Sequence, residues 1–496
     1  MFRTPLSCFC ILALLPSLLS AAEPERISEQ ALDKQIQVAL KKWNVPGCAL
    51  VVVQGDRVVH AAGYGVKSIR TQEAITADTL FPLASCTKAF TSTLLATLVD
   101  EEKIQWDDPV RKHLPTFHLS EEHADALVSM RDLLTHRTGV GGHDLIWYRA
   151  SWNQNEVLRR IRHLPFSSPF RGGFHYSSVM FTAAGVAAAN RMNRNWNELI
   201  EEKICEPLGM KSQAFTTAEA KKNPNRALGH QLKNGKIVSM EEYEIREPDP
   251  AGSLHLSARD LGSWLILQLN DGNFGDKKIV SKANLAETKV PHIPMRLEGP
   301  AMLTTYPEST QVSYAMGWVV YDYRGKLVVA HGGMIDGFRV QITLLPKEKI
   351  GFALLNNLHE TRMNQSLSNI VIDELLKLEK KDWNTHYLKA EADEHAEKKR
   401  AIETRNKERD AEKMPSVELA AFAGKYGSPA FGDAEVQLDG KQLIVKWSSF
   451  EMKLEHWQSD TFRVTSGYFD DEVVAFDVRD KTVVGISWKG LHFSKK

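Results

Sequence analysis

Two widely separated stretches of this chain carry strand character, and a mainly helical stretch of some length divides them. Cys48 to Gln54 and Arg57 to Gly63 are apolar runs joined by Gln54-Gly55-Asp56, a hairpin signal. Beyond Tyr314 the period returns to two, and Tyr314–Tyr323, Leu327–His331, Phe338–Leu345 and Gly351–Asn356 read as four antiparallel strands. From about Leu114 to Asn270 the pattern is helical with long loops. Strands at both ends of a helical middle predict one sheet assembled from N- and C-terminal pieces, with the helical part as a second lobe. A ligand cleft is expected between the two. The expected class is α+β.

Flanking elements fit that frame. Leu32, Ile36, Ala39, Leu40 and Trp43 recur at helical spacing, so an amphipathic helix should open the folded part. Ser177–Ala189, Ala258–Leu269 and Ser366–Leu378 are further predicted helices. Lys380 to Lys413 is dense in charge and reads as a solvated helix or linker, with His386 and His395 as surface histidines. His113, His118 and His123 lack metal-ligand spacing and take the same reading. After Pro415 come short, evenly spaced strands. Glu435–Leu438 and Gln442–Lys446 flank Asp439-Gly440, and Met452–His456, Phe462–Thr465, Val473–Val478 and Val483–Trp488 follow, which predicts a small barrel or sandwich.

Within this frame Phe81-Pro-Leu-Ala-Ser85-Cys-Thr-Lys88 reads as a strand-turn-helix, with Ser85 at the first turn of a helix that runs to Val99. Residues three apart share a helix face, so Lys88 should stand behind the Ser85 hydroxyl. A serine hydroxyl is a weak nucleophile until a base takes its proton. An amine does so only when neutral, a state favoured by apolar burial and by the positive end of a helix. Ser85 begins the only Ser-x-x-Lys in the chain. By itself such a serine is as well explained as a helix cap, so its downstream partners decide the matter.

At 496 residues, two or three domains are expected. With 62 basic and 62 acidic residues, net charge points to neither nucleic acid nor an acidic surface as partner. No Walker loop, dinucleotide fingerprint or zinc-binding helix motif occurs. Arg3, the apolar run Cys8–Leu19 and Ser20-Ala21-Ala22 form a signal-peptide pattern. The run is too short to span a bilayer, so an exported product, periplasmic or secreted, is expected, with no membrane insertion after cleavage. Cys48, Cys86 and Cys205 then remain, an odd and scattered set that forms no disulfide framework. Cys86 is read as packing.

Two further stretches complete the pattern: Phe174-His175-Tyr176-Ser177-Ser178, after a Gly-Gly loop, and His331-Gly332-Gly333-Met334, ending a strand. Ser-x-x-Lys, then Tyr-x-Ser, then His-x-Gly, in this order, resembles the penicillin-recognising serine hydrolases: class C β-lactamases, DD-peptidases, D-aminopeptidases and related esterases. Asp132–Gly139 and Pro250–His255 look like the same superfamily, and the resemblance covers about Ile27 to Leu378. It implies a β-lactamase/transpeptidase-like fold with an antiparallel sheet flanked by helices. The domains implied are residues 1–22 as signal, 23–379 as hydrolase and 380–414 as charged helical linker. Residues 415–496 look like the lipocalin-like barrel of some D-amino-acid peptidases, which can cover the cleft and support a homo-oligomer.

The resemblance also implies roles. Ser85 becomes acylated, and Lys88 and Tyr176 share the base work. His331, in the place of a β-lactamase lysine, holds the charge state of Tyr176 or binds a substrate carboxylate, titrating near neutral pH. Gly332 and Gly333 admit substrate backbone, while the N–H groups of Ser85 and Met334 form an oxyanion hole. Ser178 stands where relatives carry an asparagine that binds a substrate amide, and is shorter. No metal or cofactor is implied. The expected function is an exported acyl-enzyme hydrolase of D-amino-acid or cell-wall-type peptides, with a small-molecule or peptide substrate. The alternatives are an esterase or β-lactamase of the same superfamily, or a non-catalytic scaffold or sensor.

Overall fold

The computed structural model describes residues 29–496, so the signal-peptide pattern lies outside the described residues. Helix α1 (Glu29–Trp43) buries Leu32, Ile36, Ala39 and Trp43 as its spacing predicts. Strands β1 (Gly47–Gln54) and β2 (Arg57–Gly65) form the expected hairpin, with Gly55 at φ 64° in its turn. They join a wholly antiparallel eight-stranded sheet with β3 (Ile293–Met295), β4 (Val312–Tyr314), β5 (Val319–Tyr323), β6 (Lys326–Ile335), β7 (Phe338–Leu345) and β8 (Ile350–Asn356). The order is β2-β1-β8-β7-β6-β5-β4-β3, so β1 pairs directly with β8 across some 300 residues of chain, Cys48 opposite Asn356.

Side chains alternate across each strand, and the sheet is buried on both faces as a result. Ala49, Val51 and Val53 join the layer of helices α2 (Thr87–Asp100), α3 (Ser178–Met192) and α4 (Ala258–Leu269). Leu50 and Val52 join the layer of α1 and α5 (Met363–Leu375). In β6 the same alternation sends His331 and Gly333 toward the α2 side.

Three strand expectations change. Tyr314–Tyr323 is two strands, β4 and β5, joined by a tight turn in which Ala315 N–H donates to Trp318 O at 2.8 Å. Turns are usually marked by polar residues. Here Ala315, Met316 and Trp318 are fully buried, because the turn packs on α2 and not in solvent. The strand predicted over Leu327–His331 runs on through Gly332, Gly333 and Met334 to Ile335, with Gly332 opposite Gln341 and Met334 opposite Arg339. A short pair missed in the sequence, Leu80–Pro82 with His255–Ser257, ties the segment before Ser85 to the segment before α4.

The charged stretch forms helix α6 (Trp383–Lys407), which is solvated in its middle but fastened at both ends. Trp383 Nε1 donates to Asp373 Oδ2 at 2.7 Å, and Asn384 Oδ1 accepts from Trp43 Nε1 at 2.8 Å. Near its far end Arg405 donates to Asp471, and just beyond it the Arg409 guanidinium lies 4.6 Å from the Trp457 ring centroid. His113 is also not a surface residue: it is buried, 2.8 Å from Asp108 Oδ2.

Residues 424–495 close into an eight-stranded barrel, β9 (Gly424–Ser428), β10 (Gly432–Asp439), β11 (Gln442–Trp447), β12 (Phe450–Gln458), β13 (Thr461–Val464), β14 (Val473–Arg479), β15 (Thr482–Trp488) and β16 (Leu491–Lys495). The first and last strands, which seal it, were not predicted. Among the described residues no helix is long and apolar enough to cross a membrane.

The buried β4–β5 turn generates a test. Gly317 and Gly325 sit at φ 76° and 77°, but only at Gly317 is the space filled, a Cβ there meeting Lys88 backbone at 2.9 Å. Both alanine variants are strained by about 1 kcal/mol. Gly317→Ala should lose about 1–3 kcal/mol more than Gly325→Ala in urea denaturation, because packed backbone must move. Equal losses would show the turn is free to shift.

Candidate active site

Between Leu80 and Leu98 every residue is buried except Ser85. The reason is local. Ala84 adopts φ 47°, a left-handed conformation unfavourable for a residue with a Cβ, and the turn it makes lifts Ser85 out of the apolar run. Ser85 thus sits in a short 3-10 turn (Ala84–Cys86) just before α2, and not in the α-helix itself. Such strain at one position is typical of functional sites and is held by its surroundings. Here β6 presses against the turn: a Cβ on Gly333 would lie 2.3 Å from Leu83 O and 3.3 Å from Ala84 Cβ.

Lys88, one turn on, is fully buried, with Nζ 3.2 Å from Ser85 Oγ and 2.8 Å from Ala251 O. An unpaired ammonium at such depth costs several kcal/mol, so these two acceptors are what make the position tolerable. The same Nζ lies 5.0 Å from the Tyr176 ring centroid. Tyr176 precedes α3, lines the cleft, and is flanked by His136 (ring centroids 4.3 Å apart), Tyr314 (6.3 Å) and His331 (6.3 Å).

His331 differs from expectation. Its Nδ1 lies 2.7 Å from Gly332 O, which only accepts, so Nδ1 carries the proton. Nε2 is then the acceptor and takes the Tyr314 hydroxyl at 3.0 Å. Burial first, and the Lys88 charge second, push its pKa down to about 3. A ring with both nitrogens engaged and no wall in the cleft is neutral at physiological pH. It does not titrate near 7 and does not reach a substrate carboxylate.

The sequence reading missed three contributors. His136, at φ 54°, accepts from Ser177 N–H through Nδ1 at 3.2 Å and packs under Tyr176 and Tyr314; burial first, then the Lys88 charge, holds it neutral. Tyr314 supports His331, and Ala251 O supports Lys88. The motif stretches Asp132–Gly139 and Pro250–His255 contain two of these, but nothing in their spacing shows which atoms meet. Cys86 is packing, as read: its Sγ donates to His331 O at 3.1 Å, and burial raises its pKa to about 12. The three cysteines among the described residues, Cys48, Cys86 and Cys205, are free and buried.

Ser85, Tyr176, Ser178, Gly332, Gly333 and Met334 line one cleft of about 1120 Å³, with Lys88 and His331 directly behind it. The barrel supplies part of the rim. Ser448 and Ser449 Oγ donate to Arg149 O at 3.3 and 2.6 Å, and Tyr468 stacks near Tyr148 with centroids 5.3 Å apart. Ser449 and Tyr468 themselves face the cleft. Tyr148 in turn donates to Asp336 at 2.8 Å, which fixes the β6–β7 turn.

A cleft-facing serine backed by a buried lysine at a helix start, with a tyrosine on the same cleft, marks a class of hydrolase. Residues 32–377 match the Beta-lactamase family model, and the chain belongs to that family of hydrolases. Residues 408–496 match a domain of unknown function, DUF3471. An unguisins hydrolase, ungD', of Aspergillus campestris (strain IBT 28561) is 27% identical over 446 residues, which span 84% of this chain and 78% of that protein. An octameric penicillin-binding protein homologue from Pyrococcus abyssi shares the fold over 95% of this chain and all of its own, with TM-score 0.64 and 21% identity. A D-amino acid amidase from Ochrobactrum anthropi SV3 covers 70% of this chain and 98% of its own, with TM-score 0.56 and 23% identity.

The neutral histidines make stability depend on acid. For a histidine whose folded pKa is depressed, folding is favoured above its unfolded value and loses that margin as pH falls from about 6.5 toward the folded value. His331, His136 and His255 (held near 4 by burial) all act in this window. Urea denaturation should show stability declining from about pH 6.5 to about pH 3, and His331→Gln should flatten the decline. An unchanged slope in that variant would mean His331 is charged in the folded protein.

Proposed function

We propose that the protein is an exported serine hydrolase that forms an acyl-enzyme on Ser85 and cleaves amide bonds in peptides of D-amino-acid or cell-wall type. The observation that carries this is the 3.2 Å contact between Lys88 Nζ and the cleft-facing hydroxyl of Ser85 in the turn before its helix. Ser85 Oγ attacks the substrate carbonyl while its proton passes to the Lys88 and Tyr176 pair. The same pair returns a proton to the departing amine, and water then attacks the ester in the reverse sense. Negative charge on the carbonyl oxygen is received by the N–H groups of Ser85 and Met334, the pair that the family resemblance implies, with Gly333 packed against Leu83 and Ala84 beside them.

Neutral His331 and His136 serve this pair as a fixed dipolar wall. Because neither carries charge, neither competes with substrate for Tyr176. The cleft, at about 1120 Å³, exceeds what a small ester fills, which favours a peptide. The amidase among the structural neighbours agrees with amide chemistry. An esterase is the second reading, favoured by the short Ser178 in place of an amide anchor. Export rests on the signal pattern of residues 1–22.

Rates on matched panels of D-residue peptides, small esters and penicillins test the proposal. The D-peptides should be turned over fastest, and Ser85→Ala should remove all turnover above background. Lys88→Met and Tyr176→Phe should each reduce kcat by about 10²–10⁴-fold. Lys88→Met should fold with little loss, since an apolar isostere of a buried cation is often neutral. Faster ester than peptide turnover would select the second reading. Turnover that survives Ser85→Ala would overturn both.

A further inference from the structure

One carboxylate in the cleft has no role in the chemistry above. Asp249 begins the Asp249-Pro-Ala-Gly-Ser253 turn that presents Ala251 O to Lys88. Only one of its oxygens does structural work: Oδ1 accepts from Ala251 N–H at 2.7 Å and from Thr182 Oγ1 at 2.9 Å. Among the described residues Oδ2 accepts no hydrogen bond and no cation pairs with the group. Yet Asp249 is recessed, and burial raises its pKa, with the Lys88 charge and the two Oδ1 bonds opposing that. Asp249 lines the cleft, so its unengaged oxygen is available to a donor on a bound molecule.

Thr182, which holds Oδ1, lies one helical turn along α3 from Ser178, and Ser178, Thr182 and Asp249 line the same cleft as Ser85. Ser178 contributes a side chain of two heavy atoms to that lining, and an asparagine there would put two more into the same cleft. The lining of the cleft carries eight carboxylates, Asp249 included, against four lysine and arginine cations, so its field also favours a cation.

We propose that Asp249 is the anchor for a primary ammonium on the acyl side of the substrate, seated in the cleft that Ser178, Thr182 and Ser85 line with it. The preferred substrate is then one with a free amine close to the scissile carbonyl, as in the N-terminal residue of a peptide or an amino acid amide. This rests on the acyl-enzyme reading of Ser85 and narrows its substrate class. Asp249 binds and orients the substrate and transfers no proton.

The test compares D-phenylalanine amide with N-acetyl-D-phenylalanine amide as protectors of Ser85 against labelling by a fluorophosphonate, read by intact mass. In the wild-type protein the free amine should protect at about ten- to hundredfold lower concentration, the range expected of one charge-assisted hydrogen bond. Asp249→Asn, which keeps an oxygen for Ala251 N–H and Thr182, should bring the two compounds to within about twofold of each other. Ser178→Asn, which puts a larger side chain into the same lining, should reduce the preference in the same direction, and it decides the matter if Asp249→Asn does not fold. Equal protection by both compounds in the wild type would overturn the proposal. So would an Asp249→Asn protein that weakens both in the same proportion, the signature of a carboxylate that only steadies the Ala251 turn. If Ser85 takes no label at all, the acyl-enzyme reading fails instead, and calorimetric binding of the two amides to wild type and Asp249→Asn still decides this one.

Discussion

The fully buried Lys88 amine is the constraint on which the arrangement depends. Its depth would be untenable without Ser85 Oγ at 3.2 Å and Ala251 O at 2.8 Å, and those acceptors come from a strained turn and from a loop 163 residues away. Each acceptor needs its own support. Ala84 holds its left-handed φ because Gly333 of β6 lies against it, and the Ala251 turn is held by Asp249 and Thr182. Thr91 Oγ1 donates to Pro250 O at 2.7 Å, binding the loop to the same helix that carries Lys88. The site is therefore a set of short reaches across α2, α3, β6 and one loop, and shortening any of them pulls on the amine.

The sheet makes those reaches possible. Pairing β1 with β8 closes the polypeptide on itself and leaves α2 packed on one face, where β6 passes its start. Glycine is required at 333 and 317 for the same reason: the strand and the β4–β5 turn approach the backbone of residues 83–89 more closely than a Cβ allows. The charge logic follows from the packing. Burial keeps His331 and His136 neutral, which leaves the lysine without a competing cation beside the phenol. The barrel is joined to this body through the fastened ends of α6 and through Ser448, Ser449 and Tyr468 at the cleft rim, so it is part of the cleft's wall.

The sequence made legible the local elements and the joining of N- and C-terminal strands in one sheet. A hairpin at Gly55-Asp56, a helix over Ala258–Leu269 and a lysine three residues after a serine all follow from periods of two, three and four residues. The buried turn at Ala315–Trp318 was illegible because it lacks the polar residues that usually announce a turn. Strands Gly424–Ser428 and Leu491–Lys495 were missed because glycine, serine and lysine carry little strand signal. The neutrality of His331 was invisible for a different reason. A histidine's charge depends on what surrounds it, and Tyr314, Lys88 and Gly332 O meet around it only in the folded chain. His136 and Asp249 belong to the same category: single residues whose role is set by neighbours 40 to 70 positions away.

The central claim is that the Ser85 hydroxyl is activated by its contact with Lys88. Mapping the modified residue by tandem mass spectrometry after brief exposure to a fluorophosphonate tests it most directly. The account predicts a single adduct, on Ser85, formed in the wild-type protein and lost when Lys88 is replaced by methionine in a protein that remains folded. An adduct on another residue, or one that forms on Ser85 at the same rate without the lysine, would contradict it.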